Sequence, residues 1–141
     1  MRAYLDSNVF VFACVSAEAI GKDCRNLLHM VVKGKIDAVT TLLTFDELFY
    51  KLNRLKGFDA AVLFTENFLA MPNLTLSEVD SSVVAEAFDV VKRYKLAPRD
   101  AIHVATAVLR KADCIVSDDK EFLKVAGMRL VSVKGALKEA E

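Results

Sequence analysis

The chain predicts an α/β fold of three layers, a parallel sheet of four or five short strands with helices on both faces. Three observations carry that prediction. Short apolar runs alternate with longer segments whose apolar residues recur at helical spacing. Strands separated by helices pair in parallel, because each helical crossover returns the chain to the same edge of the sheet. Finally, 141 residues with 54% hydrophobic content suffice for one substantial core, and no linker or internal repeat divides them.

Ala3-Tyr4-Leu5 reads as a buried strand that stops at Asp6-Ser7-Asn8, three turn-favouring residues. An apolar segment, Val9 to Val15, follows. From Glu18 to about Lys33, Leu27, Leu28, Val31 and Val32 share a helical stripe that Gly34 ends. Ile36 to Thr40 is the second strand. Leu42, Phe45, Phe49, Leu52 and Leu55 then line one helix, and after Gly57 the stripe Phe58, Ala61, Val62, Thr65, Phe68 and Leu69 lines the next. Pro72-Asn73 breaks the chain before an extended Leu74 to Leu76. Asp80 or Ser81 caps a helix to about Tyr94, and Pro98 opens another through Arg110. Cys114 to Val116 is a buried strand, Lys120 to Val125 a short helix, and Leu130 to Val133 the last strand. One domain is expected over residues 1–133. The charged, Ala-rich tail 134–141 is expected to fray or add a last helical turn.

Composition excludes several function classes. Lys plus Arg equals Asp plus Glu at 19 each, so the whole-protein field attracts no polyanion, and nucleic-acid binding needs a local patch or bound metal. Cys14, Cys24 and Cys114 lack the spacing of a zinc site and read as small residues of a reduced core. No apolar run approaches the roughly 20 residues that span a bilayer, and no signal-peptide pattern follows Met1. A cytoplasmic protein with no membrane partner is expected.

In parallel sheets functional groups gather beyond the carboxyl ends of the strands. Asp6, Glu47 and the pair Asp118-Asp119 follow the first, second and fourth extended segments, and Asp100 lies in the first turn of the helix opened by Pro98. Acids brought together there repel one another unless a divalent cation neutralises them, and carboxylates suit the hard ions Mg²⁺ and Mn²⁺. Such a site can activate water and stabilise a phosphate under in-line attack. Each acid also has an ordinary explanation. Thr44 and Glu47 fit a capping box, Asp118 and Glu121 fit another, Asp100 suits a helix N-terminus, and Asp6 suits a turn. Periodicity and capping alone leave both readings open.

The residues around those acids resemble a known family. Tyr4-Leu5-Asp6-Ser7-Asn8-Val9-Phe10 is similar to the opening motif of the PIN-domain family, a strand ending in Asp followed by a small polar pair. Leu43-Thr44-Phe45-Asp46-Glu47-Leu48 resembles its second motif. Leu96 to Ala107, with Asp100, resembles its third and is the most specific match, and Ile115 to Phe122 resembles its fourth. The motifs occur in the family's order and span residues 4–122. The chain's size resembles the toxin component of VapBC-type toxin–antitoxin pairs.

The resemblance implies a PIN fold and Mg²⁺- or Mn²⁺-dependent endonucleolytic cleavage of RNA. It implies Asp6, Glu47, Asp100 and Asp119 as catalytic, metal-holding acids, with Ser117 as the hydroxyl that orients the site, where Thr is more usual. Asp118 stays open as an alternative or additional metal ligand, and the motif register favours Asp119.

Other residues carry smaller expectations. Asn8 either bonds a metal-bound water or phosphate or serves the turn. His103 shares a helix face with Asp100 and is expected to pack beside the site, with a general-acid role as the alternative. Asp46 adjoins Glu47 but points elsewhere on the helix. Among the basic sets Lys51, Arg54, Lys56 and Lys92, Arg93, Lys95, Arg99, the last residue is the expected substrate contact because it adjoins Asp100. The Phe-rich helices of Leu42 to Leu69 are mostly core, with some apolar surface left for an amphipathic antitoxin segment or a homodimer. Two competing functions remain: a PIN-fold module that binds RNA or protein without cutting, and another phosphate enzyme. Asp6-Ser7-Asn8 lacks the second acid of a DxD nucleophile motif, which argues against the phosphate enzyme.

Overall fold

The computed structural model describes all 141 residues. Its elements run β1 (Arg2–Leu5), α1 (Ser7–Val15), α2 (Ala19–Val32), β2 (Asp37–Thr41), α3 (Leu43–Lys56), α4 (Phe58–Leu69), β3 (Leu74–Ser77), α5 (Ser81–Tyr94), α6 (Pro98–Leu109), β4 (Cys114–Val116), a 3₁₀ turn (Lys120–Lys124), β5 (Leu130–Val131) and α7 (Val133–Ala140). The sheet is parallel throughout, in the order β3-β2-β1-β4-β5. The three-layer parallel architecture expected from the alternation is present.

The strand order explains the layers. The chain steps outward from β1 to β3 and then crosses back to β4 on the far side of β1. Crossovers keep one hand, so this reversal sends the next helices to the opposite face. Side chains alternate across a strand. Ala3, Leu5, Ala38, Cys114 and Val116 face one core with α1, α2, α3, α4 and α7, and Tyr4, Val39 and Ile115 face another with α5 and α6.

Three local outcomes differ from expectation. The apolar run after β1 is helix α1, apolar all round because it is wedged between sheet and helices, with Asp6 as its N-cap. The last strand stops at Val131, two residues short of Val133, because Ser132 turns the chain by accepting a hydrogen bond from the Gly135 N–H at 3.0 Å. The tail expected to fray or add a last helical turn is the longer α7, which buries Val133 and Ala136 and packs Leu137 and Ala140 on the same core as α2. Charged neighbours disguise that apolar stripe in the sequence.

Gly57 separates α3 from α4 at φ +94°, a conformation that favours glycine. The three cysteines are free, and burial pushes the Cys14 thiol up to about 11 and Cys24 up to about 12. They are inert packing residues at neutral pH. No helix is long and apolar enough to cross a membrane.

Candidate active site

Register brings the first and fourth motifs together. Leu5 pairs with Val116, so Asp6 and Ser117 emerge side by side beyond the sheet. The Asp6 N–H continues the ladder to the Val116 carbonyl at 3.2 Å. Asp6 is only 4% exposed. One carboxylate oxygen, Oδ1, accepts the Ser7 N–H at 2.8 Å, and Oδ2 accepts the Ser117 hydroxyl at 2.8 Å. Burial raises the Asp6 carboxyl above its ordinary value despite the opposing charge of His103 and the Ser117 bond. An acid kept here at that cost suits a group meant to meet a cation.

Ser117 does more than adjoin Asp6. Its oxygen also accepts the Asp119 N–H at 3.0 Å, so a single hydroxyl fixes both the β1 acid and the loop carrying Asp119. Asp119 accepts the Glu121 N–H at 3.0 Å and caps the 3₁₀ turn. Asp118 turns away and accepts the Val133 N–H at 3.4 Å, at the start of α7. The capping role read for Asp118 in the sequence therefore falls to Asp119. Asp119 also repels Asp100, whereas the charge of Asp118 is felt by Cys24 in the opposite core. Of the adjacent acids, Asp119 faces the cluster.

Glu47 arrives from α3. The capping box expected there does not form: α3 starts at Leu43, and the Thr44 hydroxyl instead meets the buried Thr40 hydroxyl at 2.8 Å, which donates to the Leu5 carbonyl at 2.8 Å. This pins the first turn of α3 to β1 and frees Glu47 for the site. Its carboxylate meets His103 Nε2 at 2.5 Å. Burial acts to raise the Glu47 carboxyl, but the His103 hydrogen bond, together with the charges of His103, Lys51 and Arg99, holds it below its ordinary range.

Asp100, half-buried in the first turn of α6, completes the set. Burial and then the repulsion of Asp119 raise its carboxyl, with Asp6 and Glu47 adding to the effect and His103 opposing it. All four expected acids therefore share one electrostatic neighbourhood. No three of the chain's Asp, Glu, His or Cys side chains are gathered into a ready-made ligand set. The donor set nevertheless fits a hard divalent ion of the Mg²⁺ class, which keeps several waters and needs only one or two direct carboxylates.

The rim is cationic. Asn8, on α1, accepts a hydrogen bond from Lys51 Nζ at 2.9 Å, which gives it a protein partner of its own. Arg99 is exposed and lies 3.6 Å from Asp46, on the same side as Glu47. Lys92 stacks over Phe88 and Arg93 pairs with Asp89, so these two are engaged on their own helix. Sequence reasoning missed Tyr4, whose hydroxyl lies 2.6 Å from His103 Nδ1. It also undervalued His103, which is fully buried and bonded to Glu47. The available signal was a His one turn after Asp100 and a polar-tipped aromatic in an otherwise apolar strand.

A family model described as PIN domain matches residues 3–128. A search of curated protein sequences returns no match. Among solved structures, the chain resembles one from VapBC2 of Rickettsia felis bound to a promoter DNA fragment, with a TM-score of 0.74, 15% identity, and coverage of 94% of this chain and 98% of that one. It resembles Mycobacterium tuberculosis VapC20, a sarcin–ricin loop cleaving toxin, with a TM-score of 0.74, 17% identity and coverage of 89% and 95%. DNA-bound VapBC from Salmonella typhimurium gives a TM-score of 0.73 at 16% identity, covering 94% and 98%.

Proposed function

The chain belongs to the PIN domain family, and we propose that it is a metal-dependent endoribonuclease acting as the toxin of a toxin–antitoxin pair. The observation that carries the proposal is the convergence of Asp6, Glu47, Asp100 and Asp119 beyond the strand ends, with Ser117 bonding both Asp6 and the Asp119 loop and His103 lying against both Glu47 and Asp6. A fold gains nothing from such a cluster unless a cation relieves it. These four acids would hold Mg²⁺ or Mn²⁺. A bound ion supplies an activated water for in-line attack on an RNA phosphodiester and compensation of the charge that develops on phosphate.

The chain's own residues do the positioning. Ser117 orients Asp6 and anchors the Asp119 loop. Exposed Arg99 and half-buried Lys51, whose charges both act on Glu47, offer positive charge for the RNA backbone beside the scissile phosphate. Asn8 shares the Lys51 amine and sets its direction.

Partner surfaces fit the same reading. The α3–α4 face exposes Phe45, Tyr50, Leu55, Phe58 and Leu63. Solved complexes of similar fold contain antitoxins, and an amphipathic antitoxin segment is the proposed occupant of this face. A homodimer would then use the separate apolar hollow of about 260 Å³ between α5 and α6, beside Val84 and Phe88. The two partners need not compete. A cytoplasmic location follows from this role.

The test is cleavage of a mixed RNA pool across a Mn²⁺ titration, with Asp6→Asn and Asp100→Asn as controls. Metal-dependent cuts lost in both variants support the proposal. A wild-type chain that binds RNA but neither binds Mn²⁺ nor cuts is the non-cleaving module instead.

A further inference from the structure

We infer that Tyr4 and His103 form a buried positioning relay that ties Glu47 to the backbone of β2. The inference rests on the metal-site reading above and deepens it by saying how a flexible glutamate is held in register with Asp6.

Glu47 has three rotatable side-chain bonds, and its carboxylate sits near the edge of solvent, at 12% side-chain exposure. Unrestrained, it would sample several rotamers away from its neighbours. His103 prevents this. Its ring has no exposed surface and is wedged edge-on against Tyr4, with centroids 5.7 Å apart, and against Phe122, at 6.5 Å. A ring locked in that way aims Nε2 in one direction only, at Glu47 Oε1 2.5 Å away, with Asp6 Oδ1 next at 3.8 Å.

The other ring nitrogen sets the polarity of the chain. The Thr41 N–H donates to the Tyr4 oxygen at 3.2 Å, and in the neutral ring the relay requires the Tyr4 O–H to donate to His103 Nδ1, 2.6 Å away. With Nδ1 accepting, Nε2 carries the ring proton and donates to Glu47. The sequence of donors therefore runs Thr41 N–H, Tyr4 O–H, His103 Nε2–H, Glu47 carboxylate. Thr41 closes β2, only a few residues before α3 brings in Glu47, so the acid is referenced to the same strand end from which its helix starts.

Packing alone does not account for these residues. Tyr4 lies in the apolar core under α5 and α6, where Phe would fill the same space without burying a hydroxyl. A fully buried polar chain is retained at a desolvation cost and specifies one geometry when every member is bonded. Here every member is bonded, and the chain ends on a site acid.

The experiment uses the full chain as wild type, Tyr4→Phe, His103→Gln and His103→Leu, with folding checked by circular dichroism and Tm. Mn²⁺ affinity is measured by calorimetry, and RNA cleavage is separated into kcat and KM. Tyr4→Phe and His103→Leu are expected to lose about 10- to 100-fold in Mn²⁺ affinity or kcat. KM for RNA should be unchanged. His103→Gln, which still offers a donor to Glu47, should recover part of that loss. Imidazole nitrogen NMR of the metal-free protein should show a proton on His103 Nε2 whose signal moves in Tyr4→Phe and Glu47→Gln. Folded Tyr4→Phe and His103→Leu proteins with wild-type Mn²⁺ affinity and kcat overturn the relay, as does a bare Nε2. If the wild type neither binds Mn²⁺ nor cuts RNA, yet its Nε2–H signal responds to both substitutions, the relay stands and the nuclease proposal falls.

Discussion

The two halves of the acid cluster are built differently. Asp6 and Glu47 are nearly enclosed, and each is gripped by partners: Ser7 and Ser117 on one, His103 on the other. Asp100 and Asp119 sit at helix starts, half-buried, and face each other across a repulsion that His103 only partly offsets. One half is preorganised at the expense of desolvation, and the other is left electrostatically unsatisfied. The contrast suggests a division of labour in which the enclosed pair defines position and the open pair supplies most of the attraction for a cation.

Substitutions can break or sharpen that contrast. The largest effect is expected from Asp6→Asn, which keeps the shape but turns a buried acceptor into an amide facing the Ser7 N–H or the Ser117 hydroxyl. Cleavage should fall by at least about a thousandfold, near 4 kcal/mol of transition-state stabilisation, read from single-turnover rates. Asp119→Ala removes an open-half acid and should cost about 10- to 100-fold in the same assay. Asp118→Ala, which touches only the start of α7, should stay within about twofold. Equal losses at both positions would erase the distinction between these neighbours.

Two further outcomes concern stability. Thr40→Val deletes the hydroxyl that joins the Leu5 carbonyl to Thr44, at a site with no access to water. It should destabilise the fold by about 1–3 kcal/mol, visible as a lower denaturation midpoint. Asp100→Asn should do the opposite and stabilise the metal-free protein by about 0.5–1 kcal/mol, because it removes a repelling charge. The sign with pH is fixed by linkage. The folded state raises the Asp100 carboxyl, so its contribution to stability is full below the ordinary carboxyl value and is lost as pH rises through the raised one. Melting temperature in chelator, compared between wild type and Asp100→Asn from pH 4 to 8, should show the gap widening upward.

The contrast also marks what sequence could and could not deliver. The open half was legible, since Asp100 follows a helix-opening Pro98 and Asp119 follows a strand, both local signals. So was the sheet, because apolar alternation is a local property of each segment. The supports of the enclosed half were not legible. Tyr4 and His103 lie 99 residues apart in the chain, and only the return of the chain to β1 places them in contact. The choice between Asp118 and Asp119 depended on which way the chain turns after β4, a matter of one residue in an alternating pattern. The full length and docking of helix α7 were hidden by its charge, although Ser132 and the stripe Val133, Ala136, Leu137 and Ala140 held the evidence for them.

The central position of β1 has a consequence in time. It is made before the other four strands of its sheet, yet its neighbour β4 follows only after more than a hundred further residues, and the Asp6–Ser117 bond closes a separation of 111. Contacts of that span form late, after the loop they close has been ordered. A partly synthesised chain can build α1 to α4 against β1, β2 and β3 and still hold no assembled centre. The acids meet only when the chain through Asp119 has been made and β4 has been laid back beside β1, so synthesis of that segment is itself a gate on any chemistry at that edge.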